Sequence, residues 1–385
     1  MIKHIKESAW FLLVFGLGLV SASVSFASRR IHWWLVGVAC VLFALAILAL
    51  LFLRERMRTK FKAMQVARRP RVVVVGGGTG QPVLLRGLKH MEVDITAVVT
   101  VADDGGSSGR LRSELFMPPP GDIRNCLIAL ADTEPLLANL LQYRFDEGSG
   151  LNGHSFGNLF LAAMTRITGD FESAIRETSR VLAVRGTVMP VAKQAFTLSA
   201  VYADGSRVDG ESQIPLAKKP IDRIIIHPQS VEPLPEVLST IAGADAIVVG
   251  PGSLYTSILP NLLVPGIADA IRASKAKAIF VCNVMTQPGE TDGYTASDHV
   301  EAVYRHVGER LFDMIIVNSA LIPDPVLRQY TALAAHPVQV DVERLHKLGL
   351  TVIARDFLQD SRYARHDPDL VAMQILALVG REHHS

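Results

Sequence analysis

Cysteine is scarce: Cys40, Cys126 and Cys282 are the three thiols in 385 residues. No CxxC and no Cys/His spacing is present, so neither a disulfide framework nor a zinc site is expected. Reduced thiols agree with a cytoplasmic domain. Positive charge is missing where nucleic acid would need it. Residues 1–70 hold 11 Lys and Arg against 2 Asp and Glu, which leaves 28 against 35 in the remainder, a net −7. The bulk of the chain is therefore acidic, and binding to nucleic acid is not expected. There is no internal repeat, and beyond two apolar runs near the start there is no long low-complexity segment.

Those runs account for the positive mean hydropathy. Ala9 to Ala27 and Trp33 to Leu53 are uncharged, and each is long enough to cross about 30 Å of hydrocarbon as a helix. Residues 1–53 read as a transmembrane hairpin, with Trp33 and Trp34 placed as interfacial anchors. Residues 54–70 form a basic linker (Arg54, Arg56, Arg58, Lys60, Lys62, Arg68, Arg69). The positive-inside rule puts both termini in the cytoplasm and the chain at the cell (inner) membrane. The strip would lie against anionic head groups or act only as a topology determinant. A signal peptide ending near Ala27 is the competing reading. Even then the second run would still anchor the chain.

The rest of the chain is organised around Arg71 to Gly109. RVVVV, Arg71 to Val75, reads as a strand buried on both faces, as in a parallel sheet. GGGTG (Gly76, Gly77, Gly78, Thr79, Gly80) follows, then QPVLLRGLK with helical spacing at Val83, Leu84 and Leu88. Strand, glycine turn and helix aim backbone N–H groups at an anion. A second strand, Ile95 to Ala102, ends in DDGGSSG with Asp103, Asp104 and Ser107. In an open parallel sheet ligands bind at the strands' carboxyl ends. The acidic pair suits a diphosphate, a sugar hydroxyl or a metal–phosphate group.

Further on, PPPGDIRN breaks a helix and lets Asp122 cap the next, Ile123 to Asp132, placing Arg124 and Asn125 at its start. GHSFGN (His154, Ser155, Asn158) reads as a third ligand-facing turn. Adjacent His154 and Ser155 side chains diverge, so they form no nucleophile–base pair. Residues 186–230 alternate as short strands and read as a β-rich insertion. The α/β rhythm resumes at strand Ala246 to Val249, which ends in GPGSLYTS. Gly250, Gly252 and Ser253 form a second cradle by the same physics. Two cradles imply a ligand with two anionic or polar ends. Asn283 lies just past the strand Ala278 to Cys282, and Arg365 opens RHDPD before the last helix.

Together GGGTG, VTVADDGGSSGRLR, PPGDIRN, GHSFGN, VRGTVMP, GPGSLYTSILPNLLV, CNVMTQPGETDGYTASDH and RHD resemble the YvcK branch of the YvcK/CofD-like family, from about Arg71 to the C-terminus. That resemblance implies an α/β fold: a Rossmann-like, mostly parallel sheet with a small β-rich insertion, here preceded by a two-helix transmembrane hairpin that typical members lack. It implies a domain over 71–385 that binds a UDP-sugar, notably UDP-N-acetylglucosamine. It also implies a gluconeogenesis factor's regulatory role, linked to cell shape and wall-precursor metabolism. The glycine loop, Asp103, Asp104, Asn125, the GHSFGN loop and the GPGS loop are implied to line the site. The CofD branch transfers a phospholactyl group with magnesium. The alternative reading is therefore a magnesium-dependent transferase using a nucleotide-diphospho donor, with Asp103 and Asp104 on the metal. No catalytic acid, base or nucleophile stands out, so a binding protein is the leading expectation. A homo-oligomer with further protein partners is also expected.

Overall fold

Val72 to Val75 are at most 1% exposed and form the middle of β1 (Arg71–Gly76). Their side chains alternate between two cores. Val73 and Val75 join one hydrophobic cluster and Val72 and Val74 the other, as the two-residue period of a strand covered on both faces requires. Burying each valine contributes about 1.5–3 kcal/mol.

The computed structural model describes residues 33–66 and 68–380. It divides into two units, 1–68 and 69–385. In the first, a helix spans Trp33–Val66, and its apolar side chains, such as Leu42, Leu48 and Phe52, stand exposed. The run Ala9 to Ala27 lies outside the described residues, and so does any pairing of two helices. Among the described residues, no single helix is long and apolar enough to cross a membrane.

In the second unit, β1 is followed by β2 (Asp94–Val99), β3 (Thr187–Pro190), β4 (Thr197–Tyr202), β5 (Arg207–Asp209) and β6 (Ile221–His227). Then come β7 (Ala246–Val249), β8 (Lys277–Val281), β9 (Met314–Asn318) and β10 (Thr351–Arg355). Seven of them make one sheet in the order β10-β9-β8-β7-β1-β2-β3, and every neighbouring pair in it is parallel. The chain runs outward from β1 to β3, returns, and then runs outward from β7 to β10. This is the order of a Rossmann-like doubly wound sheet, whose switch point lies between β1 and β7.

β4, β5 and β6 form a separate antiparallel sheet, β5-β4-β6, with short 3-10 turns at Glu211–Gln213 and Pro215–Ala217. The insertion sheet is thus shorter than residues 186–230. Thr187–Pro190 belongs to the main sheet, paired with β2 from Thr96↔Thr187 to Val99↔Pro190. Alternating burial, which read as half-covered β structure, is also what an edge strand shows.

Candidate functional site

Gly78 takes φ +62 in the turn between β1 and the helix Gly80–Leu88. That conformation suits glycine because it has no Cβ. Gly80 is needed for a different reason. A Cβ on it would lie 2.5 Å from the Pro251 carbonyl oxygen. The two glycine loops therefore touch across the switch point and build one wall, rather than two cradles for two ends of a ligand. Buried amides tie the wall to the sheet. Gln81 Nε2 donates to the carbonyls of Val74 (2.9 Å) and Val98 (3.0 Å). Asn261 Nδ2 donates to those of Gly76 (2.9 Å) and Ser257 (2.7 Å).

Two of the N–H groups in these loops, those of Gly78 and Tyr255, are already met by the chain's own carboxylates. Asp122 does not cap its helix, which runs Gly121–Leu130 with Pro120 at the cap. It turns back, and its Oδ2 accepts from Gly78 N–H at 2.7 Å. Glu290 accepts from Tyr255 N–H at 3.3 Å and from Thr256 Oγ1 at 3.4 Å, at the start of the π-helical turn Leu254–Ile258. Burial raises the Asp122 carboxyl to about 6, against the lowering pull of the Gly78 N–H. Burial raises Glu290 to about 7. Glu211 rises to about 8 through burial first and then the nearby charges of Asp103, Asp104, Asp122 and Glu290.

Asp103 and Asp104 do not act as a pair. Asp103 Oδ1 accepts from Gly105 N–H at 2.9 Å. Asp104 spends both oxygens on the tip of the insertion sheet, accepting from the N–H groups of Glu211 and Ser212 at 2.9 Å each. It latches that sheet over the crevice. Asp104→Asn would set an amide N–H against one of those N–H groups. The expected result is a loss of about 1–3 kcal/mol and faster amide exchange at Glu211 and Ser212, read by hydrogen–deuterium exchange.

The second half of DDGGSSG is not a loop. Gly105 caps the helix Gly106–Leu115, which puts Ser107 inside it, buried beside the GHSFGN turn. Ser107 Oγ and His154 Nδ1 are 3.0 Å apart, and Asn158 Nδ2 donates to Ser107 Oγ at 3.0 Å. Ser155 caps the helix Phe156–Thr168 through Asn158 N–H. Arg124 Nη1 donates to Ser155 Oγ and, at 2.8 Å, to Asn158 Oδ1, while its Nη2 donates to Asn125 Oδ1 at 2.8 Å. His154, Ser155 and Asn158 are buried. These residues hold one another in place, and burial, then Arg110, lowers the His154 imidazole.

At the carboxyl edge of β1, β7 and β8 lies a cleft of about 230 Å³ lined by Thr79, Gly80, Gly252, Ser253, Asn283 and Arg365, among others. Asn283 grips the Gly252 peptide from both sides, accepting from its N–H at 3.2 Å and donating to its carbonyl at 2.8 Å. Gln287 Nε2 donates to Ser253 Oγ at 2.6 Å. Larger hollows of about 640 and 780 Å³ lie along β6 and at the amino ends of β1 and β2. The smaller one is where a doubly wound sheet takes ligands. Of the residues expected at the site, Thr79, Gly80, Gly252, Ser253, Asn283 and Arg365 meet there. Gly77 lies behind them, within 3 Å of Thr100 and Asp122 were it to carry a Cβ.

The family model for 2-phospho-L-lactate transferase CofD matches residues 72–358. The chain belongs to the CofD family. It is 53% identical over 315 residues to the gluconeogenesis factor of Bacillus subtilis, covering 82% of this chain and 99% of that one. It is 54% identical over 310 residues to that of Halalkalibacterium halodurans, covering 80% and 96%. A crystal structure of a Bacillus halodurans protein superposes with a TM-score of 0.79 at 54% identity, covering 80% of this chain and all of that one. These relatives make it a YvcK-type member.

Magnesium, which the family's transferase branch would bring, does not fit an Asp103–Asp104 clamp here. Asp104 has both oxygens on the insertion sheet, while Asp103 gives only Oδ1 to Gly105, so the two do not share one ion. Among the described residues, no three His, Cys, Asp or Glu side chains are grouped to hold a metal ion. Asp122 was expected as a helix cap, Glu290 just past the carboxyl end of a strand, and Glu211 in a turn of the insertion, none of them as a partner of the glycine loops. Each stands in a turn-rich stretch where an acid reads as a cap or a solvated charge, and Asp122 and Glu290 find their partners, Gly78 and Tyr255, far along the chain.

Proposed function

We propose that the protein is a regulatory binding protein of the gluconeogenesis-factor type that takes a UDP-sugar, UDP-N-acetylglucosamine in the first instance, and adjusts cell shape and wall-precursor metabolism. The observation that carries this reading is the cleft at the switch point. Its lining offers backbone amides, neutral hydroxyls and amides, one guanidinium, Arg365, and one imidazole, His366, whose buried Nε2 shares no hydrogen bond with a lining hydroxyl. Such a lining suits binding of a diphosphate and sugar rather than turnover.

Titration calorimetry of UDP-N-acetylglucosamine into the full chain tests it. Binding is expected with magnesium and with chelator alike, and Arg365→Gln is expected to weaken it about tenfold, the scale of one charge-assisted contact. Binding that required magnesium and released a transfer product would replace this reading with the transferase of the family model.

The same reading places the protein at the inner membrane through the runs Ala9 to Ala27 and Trp33 to Leu53, with the domain in the cytoplasm. The exposed apolar side chains of the helix Trp33–Val66 support it. A reporter fused after Ser385 that works only outside the cytoplasm would overturn it.

A further inference from the structure

Three arginines converge on the turn that precedes the helix Phe156–Thr168. Arg110 Nη2 donates to the Asn152 carbonyl at 2.7 Å. Arg144 Nη1 donates to the next carbonyl, Gly153, at 2.5 Å. Arg124 reaches the same turn through Ser155 and Asn158. All the acceptors are neutral. Among the described residues, the ion pairs of the domain engage other arginines, and none joins these three to a carboxylate within reach.

Like charges gathered without a direct ion pair repel one another, and the carboxylates of Asp103, Asp122 and Glu114 act on the group only from a distance. Burial lowers the Arg124 guanidinium and Arg144 lowers it further, while Asp122 and Asp103 pull it back up. Arg110 and Arg144 both act on His154. Each guanidinium carries five N–H donors; Arg110 and Arg144 each spend one on the turn and keep the rest, whereas Arg124 donates to Ser155, Asn158 and Asn125. A carboxylate would engage one fork. A phosphate has oxygens enough for several.

We propose that Arg110, Arg124 and Arg144 form a binding site for a soluble phosphate monoester at the turn Asn152–Asn158, distinct from the cleft lined by Gly252 and Arg365. None of the three arginines lines that cleft. The site does not depend on the UDP-sugar reading. Arg144 is exposed and gives the anion its way in, whereas Arg124 is half-buried and held by Asn125, Ser155 and Asn158.

Inorganic phosphate is the probe, titrated calorimetrically into the full chain at constant ionic strength. Wild type is expected to bind, and Arg144→Gln and Arg110→Gln, which each keep an N–H for the turn, are expected to weaken binding about tenfold or more. Saturating UDP-N-acetylglucosamine is expected to leave the phosphate isotherm unchanged. Three results would overturn the proposal. One is a phosphate affinity equal in wild type and both variants, with only the melting temperature lowered, since the arginines would then merely latch the turn. Another is displacement of phosphate by the UDP-sugar. The third is a response confined to phosphatidate-containing vesicles, which would make the ligand a lipid headgroup.

Discussion

Gly80→Ala is expected to weaken ligand binding at least tenfold, about 1.4 kcal/mol, and to destabilise the domain by about 1–3 kcal/mol. The added Cβ would stand 2.5 Å from the Pro251 oxygen, 2.7 Å from its carbonyl carbon and 3.0 Å from Gly252 N. All three are backbone atoms, so no rotamer relieves the contact and the two loops must part. Gly106→Ala supplies the contrast. Its φ is +45, but a Cβ there meets nothing within 4 Å, so only backbone strain of about 1 kcal/mol is expected. Calorimetry with the nucleotide sugar and denaturant unfolding check both. Equal effects in the two variants would mean that loop contact does not shape the cleft.

Asp122, Glu290 and Glu211 are expected to make stability fall as pH rises, against the rise contributed by His154, His299, His306 and His366, which burial holds below the ordinary imidazole value. Asp122, Glu290 and Glu211 bind their protons more tightly folded than unfolded. They rise from 3.8 to about 6, from 4.5 to about 7 and from 4.5 to about 8. Between the unfolded and folded values the native state holds more protons, so stability falls as pH rises. These groups therefore contribute a decline that begins near pH 4 and ends near pH 8. Fully buried Glu290 alone accounts for roughly 3 kcal/mol, at about 1.4 kcal/mol for each unit. Glu290→Gln keeps an oxygen for the Tyr255 N–H but cannot ionise. It is expected to flatten the profile between pH 5 and 7 and to leave the variant more stable than wild type at pH 8. Urea midpoints of wild type and variant across that range measure the effect, and an advantage of the variant that did not grow from pH 5 to 8 would contradict it.

What could be read beforehand was what local pattern encodes. Four valines in succession placed β1, and Ala246–Val249 placed β7, because a strand covered on both faces needs an uninterrupted apolar run. Glycines placed the two loops. What escaped was set by distance. Asp122 and Gly78 are 44 residues apart in sequence, Glu290 and Tyr255 35 apart, and Asp104 and Glu211 107 apart. Nothing local says that a carboxylate turns back to meet them. GSSG carries little helical signal because its residues disfavour helix interiors. Yet it opens the helix Gly106–Leu115, where the first turn needs few intrahelical partners. Asp103 and Asp104 looked like a pair because they are neighbours. Their side chains part, one to Gly105 and one to the insertion sheet.

The sheet order also sets a timetable for the newborn chain. β1 lies between β2, which follows it closely, and β7. Arg71 and Asp245, at the head of that second seam, are 174 residues apart. At a synthesis rate of about 5–20 residues per second, roughly 10–35 s separate them on the ribosome. Throughout that interval Val72 to Val75 have one finished flank and one bare one. Gly80 has no Pro251 to lean on, and the cleft has only half its wall. The first half of the chain must wait with an apolar strand edge open, in the state most prone to pairing with another chain.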